Sequence, residues 1–115
     1  MLAQTEERFH GLLTIERTRY GDDVIVLSFA GELDLAELTF VHEVLEPVLA
    51  EPRAMVVVDL SELEFIGVKG VGMLFELAES RPGQDLLRLL PSRHASVNKV
   101  LGLTGVTAAI PAVSG

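Results

Sequence analysis

Two stretches in the first third of the chain have the apolar pattern of β-strands. Residues 12–18 (LLTIERT) alternate between apolar and polar side chains, and residues 24–30 (VIVLSFA) form a second, more apolar stretch. Residues 20–23 (YGDD) lie between them and have the composition of a tight turn. Because the connection is short, we predict that the two strands form an antiparallel hairpin.

A helical pattern follows this hairpin. Residues 31–33 are expected to carry the chain out of the sheet. Asp34 and Glu37 then have the spacing of a capping box, in which an N-cap oxygen and a carboxylate three residues later accept backbone hydrogen bonds. Pro47 lies within the pattern and is expected to kink or shorten the helix. The predicted buried face carries Leu35, Leu38, Val41, Leu45, Val48 and Leu49.

The middle of the chain predicts a buried strand and a second helix. Residues 54–60 (AMVVVDL) are continuously apolar up to Asp59, which predicts a central strand buried on both faces. A short acidic connection leads to a helix over residues 68–80, which Arg81 and the following Pro-Gly pair end. The side chains expected to face the sheet are Val68, Val71, Leu74, Phe75 and Ala78.

The last third of the chain predicts one more strand and one more helix. Residues 85–90 (DLLRLL) predict a fourth strand. A third helix opens at residues 91–92, runs to residue 103 and stops at Thr104-Gly105. Residues 108–113 predict a weak last strand or a tail.

These elements predict a single α/β domain over residues 1–115, with an N-terminal arm (1–10) and a C-terminal tail (111–115). Its sheet is mixed, because an antiparallel hairpin is followed by strands that connect through helices. If the second, third and fourth strands lie side by side in chain order, right-handed crossovers place the helices mainly on one face. The carboxyl ends of the second and third strands then share an edge, where residues 31–34 and 65–70 are neighbours.

Composition narrows the range of functions. The 115-residue chain is 49% hydrophobic, has no cysteine and carries a formal charge of −8. The lack of cysteine excludes thiol catalysis and cysteine-based zinc sites. The negative charge opposes binding to phosphate backbones, so nucleic acid is not a predicted partner. No apolar run approaches the roughly 18 residues that cross a bilayer, and the first residues lack a signal-like apolar segment, so we expect a cytoplasmic protein without direct membrane insertion.

Three glycines mark the connection between the central strand and the second helix. Gly67, Gly70 and Gly72 place exposed backbone amides at the carboxyl edge of a sheet, where α/β proteins bind anions and partners. The spacing is neither the dinucleotide fingerprint nor a Walker A loop, and Gly70 and Gly72 are expected to permit close packing of the helix on the sheet. Lys69 could join the helix amides in holding an anion, which leaves a nucleotide- or anion-binding regulatory domain as an alternative.

No set of side chains in the sequence indicates catalysis. His10, His42 and His94 are far apart and have no metal-ligand spacing. No paired carboxylates and no nucleophile with its base converge on the predicted edge. We therefore predict a protein that is not an enzyme and that has no catalytic residue, metal or cofactor.

Four apolar residues fall outside the predicted buried stripes of the first two helices. Phe40 and Val44 lie off the stripe of the first helix, and Met73 and Leu77 lie off that of the second. We expect them to be exposed close to the edge described above, where grouped apolar side chains favour a protein contact.

Several motifs in this order resemble the STAS family, the domain of bacterial anti-sigma factor antagonists. The resemblance covers nearly the whole chain, and it implies the mixed α/β fold predicted above. The matching segments are Gly31-Glu32-Leu33-Asp34, Asp59-Leu60-Ser61, Phe65-Ile66, Gly70-Val71-Gly72 and Leu101-Gly102-Leu103-Thr104-Gly105.

The resemblance also implies a phosphorylation switch, from which this chain departs. In the family, the partner kinase is also the anti-sigma factor, and it phosphorylates a serine before the second helix and thereby releases the antagonist. Where the family has Asp-Ser-Ser, this chain has Gly67-Val68-Lys69, so the acceptor position is Val68. A phosphate would add about −1.5 to −2 charges, whereas Val68 adds none and Lys69 adds a positive one. The segment is therefore expected to behave like the unmodified, partner-binding form.

The sequence thus favours a non-enzymatic module that binds an anti-sigma factor or a related switch kinase through residues 31–34 and 65–73, here called the rim. Asp34 also has a structural explanation as a helix cap, and Ser61, the nearest hydroxyl, more simply caps a turn than replaces the phosphorylated serine. An accessory subunit of an ABC-type membrane transporter is the alternative, and a homodimer is left open. The predicted contact residues are Gly31, Asp34, Ser61, Phe65, Gly67, Val68, Lys69, Gly70 and Met73.

Overall fold

The computed structural model describes residues 3–34, 38–81 and 86–113, and within them the chain forms five strands and four helices. The strands are β1 (Ala3–His10), β2 (Leu13–Tyr20), β3 (Val24–Leu33), β4 (Met55–Ile66) and β5 (Leu87–Leu90), and the helices are α1 (Leu38–Leu49), α2 (Val68–Glu79), α3 (Ala95–Thr104) and α4 (Val106–Ala109).

The strands form one mixed sheet in the order β1-β2-β3-β4-β5. Strand β2 pairs antiparallel with both β1 and β3, whereas β3–β4 and β4–β5 are parallel pairs. The predicted hairpin is β2–β3, with Tyr20 opposite Val24 beside the turn. The side-by-side order of the strands that follow the hairpin is therefore confirmed, and so is the mixed α/β fold.

Residues 3–10 differ from the prediction of an N-terminal arm, because they form the edge strand β1. The strand pairs with β2 from Ala3 opposite Tyr20 to His10 opposite Leu13. All eight of its residues are exposed, so the strand has no apolar alternation from which it could be recognised. Backbone pairing and the turn at Gly11, whose φ is +58°, bring it to the sheet.

Strands β3 and β4 both continue beyond their predicted ends. Residues 31–33 stay in the sheet, and the acidic segment after Asp59 is strand rather than a connection. Two irregularities in the β3–β4 register each add one residue to β4. As a result the buried positions of β4 are spaced by two at first and then by three, at Val56, Val58, Leu60, Leu63 and Ile66.

One face of the sheet is buried more completely than the other. In β4, Val56 and Val58 are fully buried, whereas Met55, Val57 and Asp59 on the opposite face are only half-buried. The prediction that this strand is buried on both faces is therefore wrong. The alternation agrees with helices that cover mainly one face, as right-handed crossovers between parallel neighbours require.

The first two helices bury wider stripes than the sequence predicted. Phe40, Val44, Met73 and Leu77 are all buried, so the expectation that they form exposed apolar groups is wrong. The reason is that α1 and α2 pack against each other as well as against the sheet. Phe40 also lies under β1, where its ring stacks on that of His10 with 5.6 Å between centroids.

The ends of α1 agree only in part with the prediction. Helix α1 is described from Leu38. Leu35 of the predicted buried face and Glu37 of the predicted capping box therefore lie outside the described residues. Pro47 occupies the last turn, and the helix continues past it to Leu49.

The buried side chain of Arg81 connects three elements through hydrogen bonds. Its side chain is 1% exposed, and its guanidinium donates hydrogen bonds to the carbonyl oxygens of Ala54 (3.2 Å), Val48 (3.1 Å) and Glu51 (2.8 Å). These hydrogen bonds join the end of α2 to the end of α1 and to the start of β4. Burial lowers the pKa of Arg81, and the nearby Glu51 carboxylate opposes this shift.

The C-terminal part of the chain lies next to β5, the last strand of the sheet. Helix α3 ends at Gly105, as predicted, and the φ of +89° at this glycine is the left-handed conformation in which many helices end. Residues 106–109 form α4, and beyond them Ala112 forms a bridge with Leu89 of β5. None of the helices in the described ranges is long and apolar enough to cross a membrane.

Candidate functional site

The carboxyl ends of β3 and β4 lie side by side, as predicted. Glu32 pairs with Phe65, Leu33 pairs with Ile66, and the Gly67 amide donates a hydrogen bond of 2.8 Å to the carbonyl oxygen of Leu33. The two segments of the rim are therefore hydrogen-bonded neighbours. The geometric part of the sequence prediction is confirmed.

Gly67 lets the two segments approach closely. It is the N-cap of α2 and makes no side-chain cap hydrogen bond. A β-carbon at this position would overlap Oδ1 of Asp34 and lie 2.8 Å from its Cγ. The exposed carboxylate of Asp34 therefore occupies the space that a side chain at residue 67 would take, next to the N-terminus of α2. A negative charge is favourable there, because the helix dipole is positive at that end.

Gly70 and Gly31 are required by packing and backbone conformation. A β-carbon on Gly70 would lie 2.9 Å from Cγ of Leu33 and 3.0 Å from its carbonyl oxygen, so α2 could not sit this close to β3. Gly31 has a φ of +95°, and a β-carbon there would overlap the carbonyl oxygen of Leu12. Gly72, which was predicted to serve the same close packing, has no described atom within 4 Å of such a β-carbon and is exposed.

Three side chains of the second rim segment, residues 65–73, are exposed. Val68 is 86% exposed at the head of α2, so the prediction that it faces the sheet is wrong. Phe65 is 46% exposed, which is unusual for a large aromatic side chain. Lys69 is exposed and makes no ion pair with any residue that the structure describes. Together they present two apolar groups beside an unpaired positive charge.

Two predicted contact residues lie elsewhere. Met73 is only 2% exposed and belongs to the core, so it supports the rim from beneath. Ser61 is half-buried within β4, five residues before Ile66, and is not at the strand end. Its amide donates to Oδ1 of Asp59 (2.9 Å), and its carbonyl oxygen accepts from the amide of Arg93 (3.1 Å).

A small cavity beside the rim was not foreseen from the sequence. It has a volume of about 110 Å³ and is lined by Phe65 and Ile66 of β4 and by Ser96, Val97 and Val100 of α3. No role in the site was predicted for α3, because no local pattern links it to the end of β4. The fold alone brings the two together.

The described residues form no cluster of metal-ligating side chains at this edge. No group of three or more histidine, aspartate or glutamate side chains is arranged to hold a metal ion in the parts of the chain that the structure covers. His10 stacks on Phe40, His42 lies 3.7 Å from Glu76, and His94 precedes α3 as its N-cap residue. What the rim offers is a shaped, partly apolar surface.

Comparisons with known proteins identify the domain. The family model described as "Mlab, STAS domain" matches residues 16–113. The anti-sigma-F factor antagonist RsfB of Mycobacterium tuberculosis is 31% identical over 83 residues, which cover 72% of this chain and 67% of that protein. The crystal structure of an anti-sigma factor antagonist from Mycobacterium paratuberculosis superposes with a TM-score of 0.72 at 23% identity, over 99% of this chain and 87% of that one.

A second solved structure shows the same fold. The anti-sigma factor antagonist SpoIIAA in its unphosphorylated form superposes with a TM-score of 0.63 at 13% identity, over 96% of this chain and 89% of that one. At such identities the superpositions establish the fold, while the family model and the 31% identical relative establish the family. The chain belongs to the STAS domain family and is similar to anti-sigma factor antagonists.

Proposed function

We propose that this protein is a non-enzymatic anti-sigma factor antagonist that binds an anti-sigma factor, or a related switch kinase, through the rim. The observation that carries the proposal is the hydrogen-bonded juxtaposition of the ends of β3 and β4 beneath an exposed Val68. Phe65 and Val68 offer apolar area, and Asp34 and Lys69 offer charges of opposite sign. Protein interfaces commonly combine an apolar centre with a polar border in this way.

The predicted contact residues divide into two roles under this proposal. Asp34, Phe65, Val68 and Lys69 are exposed and would touch the partner. Four other residues would act through shape: Gly31, Gly67 and Gly70 set the spacing of the segments, and Met73 packs from α2 into the core. Ser61 would contribute only indirectly, through its position in β4.

The proposal includes independence from phosphorylation at residue 68. Position 68 corresponds to the serine that the family resemblance implies as the phosphoacceptor, and valine has no hydroxyl. A phosphate adds about −1.5 to −2 charges and three strong acceptors, and none of these exists on Val68. The binding-competent state would therefore persist whenever the partner and ATP are present together.

The test is a binding measurement with the anti-sigma factors encoded in the same genome, with and without ATP. The wild-type chain is expected to stay bound in ATP and to carry no phosphate by mass spectrometry. Val68→Ser is expected to accept phosphate and dissociate, and Val68→Asp is expected to bind weakly from the start. Thr107→Asp, which adds the same charge at an exposed position of α4, is the control. Phosphate on Ser61 of the wild type, accompanied by release of the partner, would contradict the proposal.

An accessory subunit of an ABC-type transporter is the second candidate. The absence of a hydroxyl at Val68 suits it equally, because a constitutive docking module needs no acceptor. Affinity purification from solubilised membranes distinguishes the two functions. Recovery of a permease and its ATPase, without an anti-sigma factor, would favour the transporter.

A further inference from the structure

The cavity beside the rim connects the proposed binding surface to α3. Phe65 belongs to both, because it is exposed at the end of β4 and also lines the cavity. The other wall is α3, which contributes Ser96, Val97 and Val100. With a volume of about 110 Å³ and a mostly apolar lining, the cavity has room for one aliphatic side chain.

The outer face of α3 continues this apolar surface. Ser96, Lys99, Val100 and Leu103 follow the i, i+3, i+4, i+7 spacing that places side chains on one face of a helix. Val100 is half-buried against the core, whereas Leu103 is 78% exposed. An isolated exposed leucine is ordinary, but this one lies about one helical turn beyond Val100, which lines the cavity.

Two exposed lysines belong to the helices next to this apolar surface. The chain has a formal charge of −8, and four of its arginines, at positions 8, 17, 19 and 93, are paired with carboxylates. Lys69 at the head of α2, Lys99 on α3 and Arg53 before β4 are exposed and form no ion pair in the described part of the chain. Two of these three positive charges therefore belong to the helices next to the apolar surface of an acidic protein, which favours an acidic partner segment.

We infer that the partner places an amphipathic helix across the cavity between β4 and α3, with one aliphatic side chain inserted in the cavity and acidic side chains opposite Lys69 and Lys99. A helix is the occupant because its apolar side chains recur once per turn, which matches the spacing of Val100 and Leu103 on α3, while one of them enters the cavity shared by Val100 and Phe65. The inference rests on the proposed function, because it assigns a second contact to the same partner.

The test compares charge-matched variants in binding to the purified anti-sigma factors of the same genome. Leu103→Asp is expected to weaken binding by at least about tenfold, because it buries a charge in an apolar contact. Thr107→Asp, on the exposed side of α4, is expected to stay within about twofold of wild type. Both positions are exposed in the free protein, so folding is not at risk, and matching circular dichroism spectra check this.

A second pair of variants tests the charge. Lys99→Glu is expected to slow association and to reduce its dependence on salt, because a favourable long-range attraction is reversed. Arg53→Glu changes the net charge equally at the opposite end of β4 and is expected to have little effect on either property.

The outcomes separate this inference from the proposed function. Suppose that the wild type binds and Val68→Asp abolishes binding, while Leu103→Asp and Lys99→Glu behave like their controls. The rim would then stand and the α3 contact would be wrong. If no anti-sigma factor binds the wild type, the proposed function fails and this inference fails with it.

Discussion

Replacing Arg81 with lysine should destabilise the protein more than replacing it with methionine. The guanidinium is buried and holds three carbonyl oxygens, from Val48, Glu51 and Ala54, at 2.8 to 3.2 Å. Lysine keeps the buried charge, but its compact ammonium cannot reproduce the planar fork that reaches all three acceptors. Methionine fills similar space and removes the charge together with its desolvation cost.

The magnitude follows from the hydrogen bonds that lysine would lose. A hydrogen bond from a charged donor contributes about 1.5–3 kcal/mol, and we expect Arg81→Lys to lose two of the three. The carbonyl oxygens of Val48 and Glu51 each keep a backbone donor, from Glu51 and Ala54 respectively, so the lower end of the range applies. The expected cost is therefore about 3 kcal/mol for lysine, and about 1–2 kcal/mol for methionine because the desolvation cost disappears.

Calorimetry and urea denaturation measure these differences directly. An unfolding entropy of about 2.1 cal/mol/K per residue gives a decrease of roughly 12 °C in Tm for a loss of 3 kcal/mol in a chain of 115 residues. Arg53→Lys and Arg53→Met, at an exposed position, are the matched controls and should change stability by less than about 0.5 kcal/mol. A lysine variant as stable as wild type, or a methionine variant less stable than the lysine variant, would refute the reasoning.

Three further predictions test the core and the rim. Gly70→Ala should lower the free energy of unfolding by about 1–3 kcal/mol, because the added β-carbon meets Leu33. Gly72→Ala should raise it by up to about 1 kcal/mol, because alanine favours the helix and has open space there. Urea denaturation of the two variants should therefore give changes of opposite sign. Phe40→Ala should lower the free energy of unfolding by about 3 kcal/mol, because the ring is buried. Phe9→Ala, at a position 70% exposed, should lower it by less than about 0.5 kcal/mol. Equal losses in urea denaturation would contradict the observed burial. Calorimetric titration with ATP or GTP should give no heat, because the carboxylate of Asp34 lies where an anion would approach α2, and saturable heat would restore the nucleotide alternative.

Those parts of the fold that depend on local pattern could be predicted from the sequence. The hairpin, the central strand and the end of α3 at Gly105 each have a signal within a few residues, and the structure contains all three. The neighbourhood of the two rim segments followed from the strand order and the handedness of crossovers. Local pattern together with a topological rule was enough to place the rim.

Other features depend on tertiary packing that no short segment encodes. Strand β1 is held by pairing with β2, and its side chains carry no apolar signal because none is buried. The extension of β4 is hidden by its two bulges, which change the spacing of buried residues from two to three. Phe40 and Met73 were expected on the surface because helical periodicity shows one stripe and cannot show that two helices also pack on each other. The α3 cavity arises in the same way, from elements distant in sequence.

In the rim, the residues that support the N-terminus of α2 differ from the residue that would serve regulation. The family resemblance implies an aspartate at position 67, and this chain has glycine there, yet the carboxylate of Asp34 occupies the vacated space. A negative charge next to the N-terminus of α2 is thus supplied from the neighbouring strand, where the helix dipole still favours it. At position 68, where the resemblance implies a serine, the exposed Val68 has no hydroxyl, and Ser61 lies within β4 rather than at its end. On the proposed function, the helix would keep its electrostatic support without a phosphoacceptor at residue 68, so independence from phosphorylation would not require a different fold.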